Sequence, residues 1–351
     1  HLEQEDISVY DILMHIEEEQ HSNIPPNENE EGRSMSPFST APSKTAKPGE
    51  TLKKYCTNLT QEAKDGKLDK LIGRELEIQD IAQILSRRSK NNAILVGEAG
   101  VGKTQIVEGL ALAIAKGKVP ASLKNKQIMT LNVGDIVAGA KFRGDFEIRI
   151  KQILEDLKEE HILFIDEIHT MMGAGAGSDS NLDMANLMKP KLSRGEISVI
   201  GATTYDEYRK HFVKDQALSR RFLKIDVKEP TADETRKILV GLKPIFEKQH
   251  NVAYNKDCID AIMSMSEKYI HNRFWPDKAI DLMDAAGARN MVAKTPKTEI
   301  GVEEIAYEVT RVANIPAEAL IKSEAVRMKD LKKNLETTVF GQDEAINKLN
   351  D

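Results

Sequence analysis

The chain has 351 residues, of which 40% are hydrophobic and 30% charged, and its formal net charge is −6. Such a composition describes a soluble globular chain with room for two or three domains, and its acidic balance offers no general attraction to nucleic acid or anionic lipid. Two distant cysteines, Cys56 and Cys258, argue against a disulfide framework or cysteine-rich zinc site and point to a reducing cytoplasm; no apolar run approaches the roughly 20 residues of a membrane helix, and no signal-peptide pattern opens the chain.

In chain order, residues 1–20 carry an amphipathic segment, with Val9, Ile12, Leu13 and Ile16 on one face. Alone it is too small for a core, so it is expected to end a truncated N-terminal domain. Residues 21–50, rich in proline, serine, asparagine and glutamate, read as a mobile linker. The first residue is His1 rather than methionine and the chain stops within a helix-like stretch, so a fragment cut at both ends is expected. Helical spacing resumes from Thr51 to Lys64 through Leu52, Tyr55, Cys56, Leu59 and Ala63, and again after Leu71-Ile72-Gly73-Arg74-Glu75 through Ile78, Ile81, Ile84 and Leu85.

Asn92–Val96 is an apolar run suited to a buried strand, and Gln127–Leu131, His161–Ile165, Ser198–Gly201 and Phe222–Val227 are further candidates. Helix patterns alternate with them, including Val107, Leu110, Ala111 and Ile114, then Ile150, Ile153, Leu154 and Leu157. The expected fold class is α/β, a parallel sheet covered by helices. Beyond Thr231 the pattern is mainly helical, over Asp233–Gln249, Lys256–Ile270, Pro276–Met291 and Val302–Val312. The expected division is therefore a sheet subdomain over 51–230, a helical subdomain over 231–330, and a start of something new at 331–351. There, Val339-Phe340-Gly341-Gln342-Asp343 echoes Leu71-Ile72-Gly73-Arg74-Glu75, as the opening of a second cassette would.

Between the first buried strand and the helix that follows it, Gly97-Glu98-Ala99-Gly100-Val101-Gly102-Lys103-Thr104 fills every position of the phosphate-loop pattern. Glycines let the backbone wrap a polyphosphate, and successive N–H groups with a helix start face its negative charge. Lys103 reaches the β- and γ-phosphates and Thr104 offers a hydroxyl to Mg²⁺. Asp166 and Glu167 end a later strand, at the edge where α/β sheets place ligands. Asp166 is expected to hold Mg²⁺ opposite Thr104, and Glu167 to accept a proton from, or orient, the attacking water. ATP and Mg²⁺ are the expected ligands.

Thr203 and Thr204 end another strand, where a hydroxyl could orient water and sense the γ-phosphate; threonine is equally an ordinary strand residue. His169 has no metal-ligand spacing around it and reads as polar packing. Arg220 and Arg221 are either a solvated face or arginines delivered to a neighbour's γ-phosphate. Lys141, Phe142, Arg143 and Gly144 place an aromatic between cations in a glycine-containing loop, which would either grip an extended polypeptide or fold back onto its own domain. Gly173 to Ser178 form a second glycine-rich loop.

These motifs in this order, LIGRELEI, GEAGVGKT, AGAKFRGDFE, ILFIDEIHTMMGAG, VIGATTYDEYRKHFVKDQALSRRF and PDKAIDLMDAAGAR, resemble the first ATPase cassette of the Hsp100/Clp unfoldases of the AAA+ superfamily. The resemblance runs from about residue 51 to 351, and residues 1–20 are similar to the end of a Clp N-terminal domain. It implies a P-loop sheet subdomain with an all-helical lid, Gly97 to Thr104 as Walker A and Asp166 with Glu167 as Walker B. It also implies Thr204 as first sensor, Arg220 and Arg221 as arginine fingers, and Ile72 and Gly73 beside the adenine. Phe142 falls at the pore-loop aromatic that is often tyrosine. Lys278 stands where other AAA+ modules carry a second-sensor arginine, which puts that role in doubt.

Within the family the ClpA branch is expected, because only about fifty residues separate Arg289 from Val339, without the sustained heptads of a ClpB coiled-coil insertion. A ClpB- or ClpC-like disaggregase is the alternative. The implied partners are a homo-hexamer, a ClpP-type peptidase, unfolded or degron-tagged protein substrates and a ClpS-type adaptor, with no nucleic acid and no membrane. A DNA-remodelling AAA+ ATPase and a non-catalytic nucleotide-binding scaffold are the more distant rivals.

Overall fold

A computed structural model describes residues 49–138, 143–171 and 184–315. The elements run α1 (Glu50–Tyr55), β1 (Cys56–Asn58), α2 (Leu59–Lys64), α3 (Glu75–Leu85), β2 (Asn92–Val96), α4 (Lys103–Ala115), β3 (Gln127–Leu131), α5 (Val133–Val137) and α6 (Arg143–Asp156). They continue through β4 (His161–Ile165), α7 (Met184–Arg194), β5 (Ser198–Thr203), helical turns over Tyr205–Glu207 and Tyr208–Phe212, α8 (Gln216–Ser219) and β6 (Phe222–Asp226). The last part is α9 (Ala232–His250), β7 (Ala253–Tyr254), α10 (Lys256–Tyr269), α11 (Asp277–Met291), β8 (Glu299–Ile300) and α12 (Val302–Ala313).

Strands β1 to β6 form one sheet in the order β1-β3-β4-β5-β2-β6, parallel except for the antiparallel edge strand β1. Alternation along each strand sends apolar side chains to opposite faces, so the sheet needs a layer on both sides. Ala93, Leu95, Ile162, Phe164, Ile200 and Ala202 pack with Ile106, Leu110 and Ile114 of α4 and Ile81 and Leu85 of α3. Ile94, Val96, Leu163, Ile165 and Val199 pack on the other face with Ile150, Ile153 and Leu154 of α6 and Met188 and Leu192 of α7. At full burial each Leu, Ile or Phe contributes about 1.5–3 kcal/mol, so the two layers hold the central strands β2, β4 and β5 firmly.

The single helix expected over Thr51–Lys64 is not what forms. Cys56, Thr57 and Asn58 pair with Leu131, Thr130 and Met129 of β3, splitting the stretch into α1 and α2, and the Asn58 side chain then caps α2 by accepting from the Gln61 N–H at 2.9 Å. Edge pairing outcompetes a marginal local helix here.

The second half is a helical unit with its own core, built on Leu239, Tyr254, Cys258, Ile262, Trp275, Leu282, Met283, Ala286, Ile305 and Val309. A capping box opens α9, where Thr231 Oγ1 accepts from the Glu234 N–H and Glu234 Oε2 accepts from the Thr231 N–H at 2.8 Å. Asn251 at φ 50 ends it in the left-handed conformation. Within these helices a short parallel pair, β7 with β8, joins Ala253 to Glu299 and Tyr254 to Ile300. Among the described residues no helix is long and apolar enough to cross a membrane.

Candidate functional site

Parallel register brings the catalytic candidates to one edge. Val96 stands level with Thr203 and Asp226, and Ile165 with Gly201, so the segments leaving β2, β4 and β5 emerge together at the carboxyl ends of the strands. Gly100 (φ 82) and Gly102 (φ 93) hold the left-handed backbone that turns the loop into α4. Gly97 is required for space: a Cβ there would stand 2.3 Å from the Val227 carbonyl oxygen. Because that neighbour is backbone, Gly97→Ala is expected to destabilise the chain by roughly 1–3 kcal/mol, measured as a lower urea midpoint at unchanged slope.

Lys103 Nζ donates to the Gly97 and Glu98 carbonyls at 2.9 and 2.8 Å, holding its ammonium over the loop. Burial lowers its pKa, while Asp166, Glu98 and Glu167 pull it back up. Thr104 Oγ1 donates to Asp166 Oδ2 at 2.7 Å, and the Glu167 N–H donates to Asp166 Oδ1 at 2.9 Å. Glu167 sits at φ 47, an uncommon conformation for a residue with a Cβ, and its side chain is exposed at the sheet edge.

A cavity of about 520 Å³ connects these groups to the helical unit. Ala99 to Thr104, Asp166, Glu167, Thr203 and Thr204 line one end, Ile72 and Leu71 one side, and Ile238, Leu242, Phe246, Asp277 and Ile280 the lid. Its size and mixed lining suit a nucleotide with an apolar base and a charged tail. Gly97 and Glu98 are not among its lining residues, and Gly73 lines a neighbouring depression with Ile72, Arg74 and Ile238. Asp277 rests on the phosphate loop so closely that a Cβ at Gly100 would come within 2.7 Å of Asp277 Cβ; burial raises its pKa, with Asp281 adding repulsion.

Thr204 caps the helical turn that follows it, accepting from the Glu207 N–H at 3.4 Å, and it lines the cavity. Thr203 Oγ1 bonds His169 Nδ1 at 3.1 Å, so His169 belongs to the site as a polar packing partner, as its spacing suggests. Lys278 turns away: its Nζ donates to the Ile270 carbonyl at 2.9 Å and lies 5.1 Å from the Trp275 ring centre, inside the lid core. Its ammonium does not face the phosphate loop, and a second-sensor contact from it has no geometric support.

Arg220 and Arg221 are absent from the lining of this cavity and line a separate depression with Arg88, Lys90 and Arg194. Lys141 and Phe142 lie outside the described residues, as does Gly173 to Ser178, whereas Arg143 and Gly144 begin α6. Among the described residues no cluster of three or more His, Cys, Asp or Glu forms a protein-only metal site. The hydroxyl–carboxylate pair Thr104–Asp166 fits Mg²⁺, which takes one or two protein oxygens and completes its shell with phosphate and water.

Arg74 has a role that no sequence pattern signals. Its guanidinium donates to the Val101 carbonyl at 2.9 Å and the Lys228 carbonyl at 2.8 Å and pairs with Glu77 at 2.8 Å, tying the segment before α3 to the phosphate loop and to the residues that follow β6. The lid contacts were equally hidden, since Ile238, Leu242 and Phe246 recur at i, i+4, i+8 like any apolar helix face.

Residues 93–227 match the AAA family model, the ATPase family associated with various cellular activities, and residues 231–336 match the AAA lid domain. A ClpA homolog protein of Fuscovulum blasticum is 47% identical over 302 residues, covering 85% of this chain and 38% of that protein. The chaperone protein ClpB of Rhizobium meliloti is 49% identical over 309 residues, covering 87% of this chain and 35% of that protein. The S. cerevisiae Hsp104:casein complex in its extended conformation superposes with a TM-score of 0.74 at 39% identity, over 86% of this chain and 52% of that one. The chain thus spans well under half the length of these two relatives, and ClpA-type and ClpB-type proteins match it almost equally. With its phosphate loop, its acidic strand end and its lid all in place, the chain belongs to the Hsp100/Clp family of AAA+ ATPases.

Proposed function

We propose that this chain is the ATP-hydrolysing motor cassette of a hexameric protein unfoldase that pulls substrate polypeptide through its pore toward a ClpP-type peptidase. The observation that carries this reading is the convergence of Lys103, Thr104, Asp166 and Glu167 on one cavity closed by the helical unit. Lys103 and the loop N–H groups would bind the phosphates, Thr104 and Asp166 would hold Mg²⁺, and Glu167 would take the proton of the attacking water. When bound, Mg²⁺ neutralises charge shared between the β- and γ-phosphate oxygens. Because Ile238, Leu242 and Ile280 line the same cavity as the loop, loss of the γ-phosphate would change how the lid sits on the sheet unit. A cytoplasmic setting, degron-tagged substrates and a ClpS-type adaptor belong to the same proposal.

A ClpB- or ClpC-like chaperone acting without a peptidase is the second reading, favoured by the near-equal identity to a ClpB protein. Degradation of a folded substrate by the full-length protein, with and without a ClpP-type peptidase, separates the two. In that assay Phe142→Ala is expected to keep ATP turnover within about two-fold while slowing degradation about ten-fold or more. Unchanged degradation by Phe142→Ala would remove the gripping role from this loop.

A further inference from the structure

Behind the lid wall of the nucleotide cavity lies a buried histidine that phosphate chemistry does not use. His250, the last residue of α9, is 5% exposed. Its Nε2–H donates to Asp284 Oδ1 at 2.7 Å, and its Nδ1 faces Met291 Sδ at 3.2 Å, both partners belonging to α11. Its ring lies parallel to that of Phe246, with planes 1° apart and centroids separated by 6.0 Å, within the range of offset aromatic stacking. Phe246 is itself half-buried and lines the cavity one and two turns beyond Leu242 and Ile238 of the same helix face. One imidazole therefore touches both helices that wall the lid side of the cavity: α9 through Phe246, and α11, which supplies Asp277 and Ile280.

Helix α11 is shaped to admit this ring. A Cβ at Gly287 would stand 2.3 Å from His250 Cδ2 and 2.3 Å from the Tyr254 hydroxyl oxygen. Gly287 lies three residues after Asp284 and four before Met291, so all three meet the ring from one helix face. The Tyr254 hydroxyl, which also borders Gly287, donates to the Met283 carbonyl of the same helix at 2.9 Å. A space-filling core residue needs none of these directed contacts; here both ring nitrogens and one ring face are committed.

We infer that His250 is a positioning residue of the nucleotide site. By clamping α9 to α11 and backing Phe246, it sets the apolar slot that receives the planar base of a purine nucleotide. The inference rests on the cavity being the ATP site, and the test separates the two. The 351-residue chain is titrated with a fluorescent ADP analogue, which is then displaced by ADP or by inorganic tripolyphosphate, a probe with no base.

His250→Ala is expected to weaken ADP about ten-fold, the loss of roughly one base-stacking contact, and to leave tripolyphosphate displacement unchanged. His250→Gln, which keeps a donor for Asp284, recovers part of the loss. Phe246→Leu weakens ADP to a similar extent, Phe246→Trp does not, and adding His250→Ala to Phe246→Leu costs little more, because both act through one stack. Equal losses for ADP and tripolyphosphate, or wild-type ADP affinity in His250→Ala, overturn the inference. Should His250→Ala fail to fold, wild-type ADP affinity in Phe246→Leu overturns it alone. A wild-type chain from which neither probe displaces the analogue overturns the ATP reading itself, and this inference with it.

Discussion

Glu167→Gln is expected to bind ATP and ADP as the wild type does while hydrolysing ATP about 10²–10⁴-fold more slowly, the usual contribution of a positioned general base. The amide keeps the shape of the carboxylate but cannot accept a proton from water. The hydrogen bonds of the groups expected to hold the nucleotide do not involve the Glu167 side chain: Lys103 bonds two loop carbonyls, and Thr104 bonds Asp166. What is lost is the upward pull of the Glu167 charge on the Lys103 pKa, the smallest of the pulls from its three carboxylate neighbours. The bond Glu167 makes to Asp166 comes from its backbone N–H, which glutamine retains. Phosphate release and equilibrium binding of a fluorescent ADP analogue, measured on the same preparation, check the split. A variant that turns over at the wild-type rate would assign the proton to another group and favour a scaffold reading. One that loses binding as well would mean that Glu167 supports the loop and not the chemistry.

Much of this site is legible in the sequence alone. A parallel strand buried on both faces is written as an unbroken apolar run, so Asn92–Val96 and His161–Ile165 announce themselves, and whatever follows each run must emerge at the ligand edge. Gly97 to Thr104, with its complete phosphate-loop pattern, and Asp166-Glu167 could be placed at that edge for this reason. The strand Cys56–Asn58 could not, because three residues with helical neighbours on both sides carry no period of their own and are decided by pairing with β3. The lid half of the cavity was hidden for a different reason. Phe246 and Ile280 sit well over a hundred residues from the phosphate loop, and their helical spacing reports only that each has a buried side, not what it is buried against. Arg74 is another case: an arginine after Gly73 reads as a surface charge until the fold brings the Val101 and Lys228 carbonyls to it. His169 was legible in type, as a polar packing group, but its partner Thr203 was not.

The position of Arg220 and Arg221 implies an equally large effect on turnover. Neither lines its own chain's cavity, and both line a basic depression with Arg88, Lys90 and Arg194. Arg221 is held by a hydrogen bond to the Ala217 carbonyl of α8, whose own start is capped by Asp215 accepting from the Ala217 and Leu218 N–H groups at 3.0 and 3.2 Å. Arg221 is therefore anchored outside its own chain's pocket, with Arg220 exposed beside it, the arrangement needed if they serve a neighbouring copy. An arginine delivered to a transferring phosphoryl group accelerates hydrolysis by roughly 10³–10⁵-fold, so Arg221→Ala is expected to bind ATP normally and to lose nearly all turnover, with Arg220→Ala showing a loss in the same direction. Mixing makes the direction of service testable. Arg221→Ala subunits keep a complete pocket, and Glu167→Gln subunits keep their arginines, so each protein is inactive alone. If the arginines act in trans, random equimolar mixing creates a complete site at roughly a quarter of the interfaces of a closed ring, and turnover returns on mixing. Fluorescently labelled subunits that exchange into common rings without recovering turnover would place the arginines in cis or outside the reaction, and the basic depression would then need another explanation.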